Sequence, residues 1–119
     1  MHPLHVKRVY DPPARGDGMR ILVDRLWPRG LSREKGRIDQ WLRDVAPSDD
    51  LRKRFHAKPD EWPTFRVAYA RELEQEPART AVAGLDQLRK EGPVTLLYAA
   101  RDVSRNNAIA LKAWLEERR

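Results

Sequence analysis

Apolar positions along the 119 residues recur with a period of two near the start and again late in the chain, and with helical spacing between. Residues 4–10, LHVKRVY, set Leu4, Val6, Arg8 and Tyr10 against His5, Lys7 and Val9, as in a partly exposed strand. DPPARGDG (11–18) interrupts with two prolines and two glycines, a loop. MRILVDRLW (19–27) is apolar at its centre on both alternating faces, the mark of a strand covered on both sides, and Pro28 and Gly30 end it. Ile38, Trp41, Leu42 and Val45 then recur at helical spacing and predict a helix over 37–46. Ser48 is a good N-cap for a short helix over 48–56, with Asp49 and Asp50 in the dipole-favoured first turn and Leu51 and Phe55 facing inward.

A third helix begins near Asp60, tolerates Pro63 in its first turn, and directs Trp62, Phe65, Tyr69 and Leu73 inward. After Pro77 a fourth repeats Val82, Leu85 and Leu88 until Gly92 and Pro93 stop it. VTLLYAA (94–100) reads as a third strand, and 104–118 as a last helix with Ala108, Leu111, Trp114 and Leu115 inward. The order predicts a single α/β domain over 1–119: a small, mainly parallel sheet of about three strands covered by four to five helices.

Composition narrows the chemistry. There is no cysteine, so disulfides, thiolate nucleophiles and cysteine metal clusters are excluded. The formal charge is +6, and residues 1–60 carry most of the excess, with 14 Lys or Arg against 9 Asp or Glu. That bias favours anionic partners. No secretory signal opens the chain, and VTLLYAA is far short of the ~20 apolar residues a membrane helix needs, so a cytoplasmic protein without a membrane partner is expected.

Several segments occur in a known order: RVYDPP…DG, VDRLWPRG, AP-S-x-x-LRKRF, TFR-x-x-YxxEL and TLLYAARD…NNA. Together they resemble the YeaO-like branch of the family called domain of unknown function 488, over nearly the whole chain. The resemblance implies an α/β fold of bacterial proteins and brings no established activity. It also implies that other branches carry a cysteine and a histidine at the positions corresponding to Asn106 and Asn107, so thiol chemistry is missing here.

The residues themselves point to one place. Asp24 and Arg25 end one apolar strand, and Arg101 and Asp102 end another. A bare buried charge costs several kcal/mol, and arginine cannot lose its proton, so these groups need partners. If the strands are parallel neighbours, four complementary charges share the carboxyl edge, where open α/β sheets bind ligands. Asn106 and Asn107 fall in the first turns of the last helix, whose free N–H groups favour an anion. Arg29 and Arg33 follow Pro28, within reach of closing over the edge. Asp24, Arg25, Trp27, Arg29, Arg101, Asp102, Asn106 and Asn107 thus frame a pocket for a small anionic or phosphorylated ligand. The competing reading is a charge network that braces the sheet edge, with Asp102 or Ser104 capping the helix.

No catalytic residue is assigned. Asp24 or Asp102 could act as a base only if burial outweighed the adjacent arginines. There is no Ser–His–Asp order, and ARGDG lacks the spacing and Lys-Ser/Thr of a phosphate loop. His2, His5 and His56 lie outside the cluster, and no metal or cofactor is expected. A second function is nucleic-acid binding, with the helices over 37–46 and 48–56 imitating a helix-turn-helix. Arg33, Lys35, Arg37, Arg52, Lys53 and Arg54 would then face phosphates. A third is a protein-interaction surface on the third helix, with Arg66 and Arg71 opposing Glu72, Glu74 and Glu76.

Overall fold

Val94–Tyr98 (β4) is buried at all five positions because it lies inside a sheet and has strands on both sides. Leu4–Arg8 (β1) runs parallel to it, pairing Leu4 with Val94 through Arg8 with Tyr98. On the other side Met19–Leu22 (β2) pairs Met19 with Val94 through Leu22 with Leu97, also parallel. Gln40–Trp41 (β3) completes the order β1-β4-β2-β3, a four-stranded, wholly parallel sheet. The computed structural model describes residues 2–118.

Helices Asp49–Ala57 (α2), Trp62–Leu73 (α3), Ala78–Glu91 (α4) and Asn107–Glu117 (α5) supply the main core against one face of this sheet. Ile21, Val23, Val94, Leu96 and Tyr98 meet Leu51, Phe65, Tyr69, Leu73, Val82, Leu85, Leu111 and Leu115 there. Each fully buried aliphatic side chain stabilises the fold by about 1.5–3 kcal/mol. The inward positions expected for α2 to α5 are occupied as the helical spacing requires, with Phe55, Trp62, Leu88 and Trp114 partly buried at the margin. Ser48 caps α2 by accepting from the Leu51 N–H.

The opposite face has a different cover. Val9, Leu22, Ile38 and Leu97 cluster beneath Trp27, Leu31, Trp41 and Ala99, all brought by loops and strand ends around one short helix, Arg33–Gly36 (α1). Beside them lies Arg20, fully buried at 0 % exposure. Its guanidinium donates to Asp17 Oδ2 at 2.7 Å and to the Gly36 carbonyl at 2.8 Å. Asp17 also accepts from Lys7 and the Ala14 N–H, while its own carbonyl accepts from Thr95 Oγ1. Burial opposes ionisation of Asp17, but the Ala14 amide, Arg20 and Lys7 outweigh it and hold the carboxyl below its ordinary value. A paired, hydrogen-bonded charge thus pins two loops to the sheet. Gly18 makes the approach possible: its φ is +64°, and a Cβ there would overlap the Pro93 carbonyl.

The expected helix over 37–46 is not formed. Arg37 adopts a left-handed conformation that closes α1, the Asp39 N–H donates to the Arg20 carbonyl, and the Leu42 N–H to that of Leu22. The chain here satisfies the open edge of β2 and becomes β3, followed by a single 3-10 turn over Arg43–Val45. The helical spacing of the four apolar residues is a coincidence of two faces. Ile38 and Trp41 join the loop-covered cluster, whereas Leu42 and Val45 join the helix-side core. The sheet therefore has four strands rather than about three. The strands expected over 4–10, 19–27 and 94–100 also end earlier, since their last residues turn away to build the carboxyl edge.

A split at the carboxyl edge of the sheet

β2 and β4 are parallel neighbours, so 24–25 and 101–102 follow adjacent strands at the same edge. The ladder between them continues past the assigned strands, with the Val23 N–H donating to the Leu97 carbonyl at 3.1 Å. In a parallel ladder the next rung would run from the Ala99 N–H to the Val23 carbonyl. Two side chains replace it. Ala99 N–H donates instead to Asp24 Oδ2 at 2.9 Å, and the Val23 carbonyl accepts from Asn107 Nδ2, also at 2.9 Å. The strand ends are thereby held apart without leaving a backbone group unpaired.

Asp24 is the expected site residue whose carboxyl the fold raises. Burial pushes its carboxyl above the ordinary value, against the opposing pull of the Ala99 amide and the Asn107 side chain. Its second oxygen, Oδ1, is buried and has no hydrogen-bond partner. Trp41 Nε1 donates to the Asp24 carbonyl at 2.7 Å, and Trp41 meets Trp27 edge to face at 5.3 Å between ring centres. Asp24 is held by the end of β4 and by Trp41 of β3, while Asn107 of α5 holds the Val23 carbonyl just before it.

The four charges do not pair with one another among the described residues. Arg25 donates to the Pro47 and Ala46 carbonyls at 2.8 and 3.2 Å. Together with Tyr69, whose buried hydroxyl donates to the Val45 carbonyl, and Glu72, which accepts from the Ser48 N–H and Oγ, it fastens the turn into α2. Burial and the nearby carboxylates of Asp24 and Glu72 push the Tyr69 hydroxyl far up. Asp102 is exposed and accepts from the Ser104 and Arg105 N–H groups, which lowers its pKa. The α5 cap is Asn106 rather than Asp102 or Ser104, and the helix starts later than expected for that reason. Asn106 Oδ1 accepts from the Ile109 N–H while its Nδ2 donates to the Asp102 carbonyl, and the residue is 1 % exposed.

Trp27 donates its indole N–H to the Leu31 carbonyl, and Arg29 and Arg101 are exposed beside the edge. Two residues near this edge lay outside the sequence expectation. Arg8 donates to the Ala99 and Ala100 carbonyls and lies over the Tyr10 ring, and the Tyr10 hydroxyl donates to the Arg29 carbonyl. The period-two pattern put Arg8 and Tyr10 at the end of a strand, and only the ladder to β4 shows that this strand is a parallel neighbour.

Three of the six basic residues expected to face nucleic acid are engaged within the chain. Arg33 donates to the Ile38 and Asp39 carbonyls; Arg52 pairs with Asp49 and Arg54 with Glu61. Lys35, Arg37 and Lys53 are exposed. Since 37–46 is not helical, the helix-turn-helix geometry is absent. On the third helix, Arg66 pairs with Glu117, and Glu72 turns inward to Ser48.

A wholly parallel four-stranded sheet with its main core under helices on one face makes this a small α/β domain. It belongs to the family DUF488-N3i, described as the inactive DUF488-N3 subclade, whose model matches residues 3–119. Among its relatives, the uncharacterized protein YeaO of Escherichia coli (strain K12) is 44% identical over 115 residues, covering 94% of this chain and 96% of its own. The uncharacterized protein Rv3073c of Mycobacterium tuberculosis (strain ATCC 25618 / H37Rv) is 37% identical over 115 residues, covering 97% of this chain and 95% of its own. No solved structure matches the chain. Among the described residues, no helix is long and apolar enough to cross a membrane.

Proposed function

We propose that the split between β2 and β4 is a binding site for a small anionic or phosphorylated ligand. The observation that carries this reading is the exchanged rung. Two polar side chains hold adjacent strands apart at the edge where open α/β sheets take their ligands. Asp24 Oδ1 is left as a buried polar atom without a partner, and the exposed residues Arg29 and Arg101 lie on the loops that follow β2 and β4. Burial raises the Asp24 carboxyl, so it takes up a proton more readily than a free carboxylate when an anion approaches. Arg25 and Asn106 hold the surrounding turns, while Asp24, Arg29, Arg101 and Asn107 are the residues that would meet the ligand.

Crystals soaked in phosphate test the reading. Density between Arg29 or Arg101 and Asn107 is expected, and Arg101→Gln is expected to weaken phosphate binding about tenfold in solution. Density confined to the 33–37 or 52–54 surface would sink the proposal and favour the nucleic-acid alternative.

A further inference from the structure

Three of the four large hydrophobic residues exposed among the described residues stand on the same edge of the sheet. Tyr10, Leu26 and Val103 are 41 %, 54 % and 64 % exposed, and they follow β1, β2 and β4, which are adjacent in the order β1-β4-β2. The fourth, Val67, is on α3. The loops after β1 and β2 are joined by the hydrogen bond from Tyr10 to the Arg29 carbonyl. Neighbouring strands lie about 5 Å apart, so the loops leaving them start side by side.

The charge on that surface is positive on balance: Arg29, Arg101 and Arg105 stand against Asp11 and Asp102, all five exposed. Among the described residues, Arg29, Arg101 and Arg105 are exposed, and none has an acid within ion-pair distance. Asp102 keeps its charge while accepting from backbone N–H groups, Asp11 is exposed in the loop after β1, and neither acid is paired with these arginines. Aliphatic groups beside unpaired arginines match a surface of opposite charge with apolar side chains of its own. A nucleic acid would call for flat rings on which bases stack. Here Tyr10 is overlaid by Arg8, at 5.0 Å from its ring centre, and Leu26 and Val103 cannot stack. A second copy of a chain with net charge +6 is a poor electrostatic match.

We infer that the loops bearing Tyr10, Leu26 and Val103 form a docking surface for an acidic protein segment with aliphatic side chains between its carboxylates. This goes beyond the small-ligand reading and does not depend on it.

The test uses fluorescence anisotropy of the full chain at physiological salt, with a short labelled peptide of alternating Glu and Leu. The comparison probes are polyglutamate of equal charge, labelled oligouridylate and phosphatidylglycerol vesicles. The Glu–Leu peptide is expected to bind about tenfold more tightly than polyglutamate. The double variant Leu26→Ser, Val103→Ser is expected to erase that difference while leaving phosphate binding at the split unchanged. Arg101→Gln with Arg105→Gln should weaken both peptides, and Val67→Ser on α3 neither. Equal binding of the two peptides, no binding of either, tighter binding of oligouridylate or vesicles, or self-association as the only event would each overturn the inference.

Discussion

Asp24 and Asn107 stand on either side of one missing rung, the first accepting from Ala99 N–H and the second donating to the Val23 carbonyl, each at 2.9 Å. The arrangement ties strand order, helix start and side-chain ionisation into one unit. Its first consequence concerns pH. The fold raises the Asp24 carboxyl above its ordinary value of 3.8, so the native state holds this proton more tightly than the unfolded chain does. The group's stabilising contribution is complete below that ordinary value and is lost as pH rises through the folded one. Asp24→Asn removes this dependence while keeping an acceptor for Ala99. Stability measured by urea melts between pH 4 and 8 should therefore decline less steeply with pH in the variant, which should match or exceed the parent at pH 7. Parallel curves would contradict it.

Asn106 and Asn107 sit next to each other but do different work. Asn106→Ala removes the cap of α5 and should cost about 1–2 kcal/mol, read by chemical denaturation, with phosphate affinity unchanged. Asn107→Ala frees the Val23 carbonyl inside the split and should lower both stability and phosphate affinity. A loss of stability alone in both variants would reduce the site to a brace.

The buried pair on the other face predicts a larger effect. Asp17→Asn leaves Arg20 charged and poorly paired in the interior, which should cost about 3–5 kcal/mol in a urea melt. Because Asp17 has a lowered pKa in the fold, its contribution is present above the ordinary value and disappears as pH falls through the folded one. The gap between parent and variant should accordingly close in acid.

Tyr69→Phe tests the fastening of the turn before α2. It leaves the Val45 carbonyl without its donor and should cost about 1–3 kcal/mol in a thermal or urea melt. A neutral result would mean that Arg25 and Glu72 alone suffice to hold the segment.

Much of this architecture was legible because burial has a period. Leu51, Phe65, Tyr69, Leu73, Leu85, Leu111 and Leu115 announced the helix-side core through spacing alone, and the apolar runs ending in charge marked the strands. The reading failed where a spacing had two explanations. Ile38, Trp41, Leu42 and Val45 fit one side of a helix, and only the unpaired edge of β2 decides that they divide between two faces. Arg20 was hidden for a related reason: its partners are carbonyls and a carboxylate brought by loops, and loop approach leaves no periodic trace. At the site the sequence pointed to Asp24 and Asn107 as neighbours, but their exchange for a backbone rung depends on register. Arg25 was expected near acids and instead binds carbonyls of a turn more than twenty residues away in sequence.

The way Asn106 is held limits what position 106 can do. With its oxygen and its nitrogen both engaged and the side chain enclosed, nothing at that position faces outward. Asn106→Cys would consequently yield a shielded sulfur and an unravelled first turn, not a nucleophile. What this scaffold keeps there is a fastener rather than a reagent.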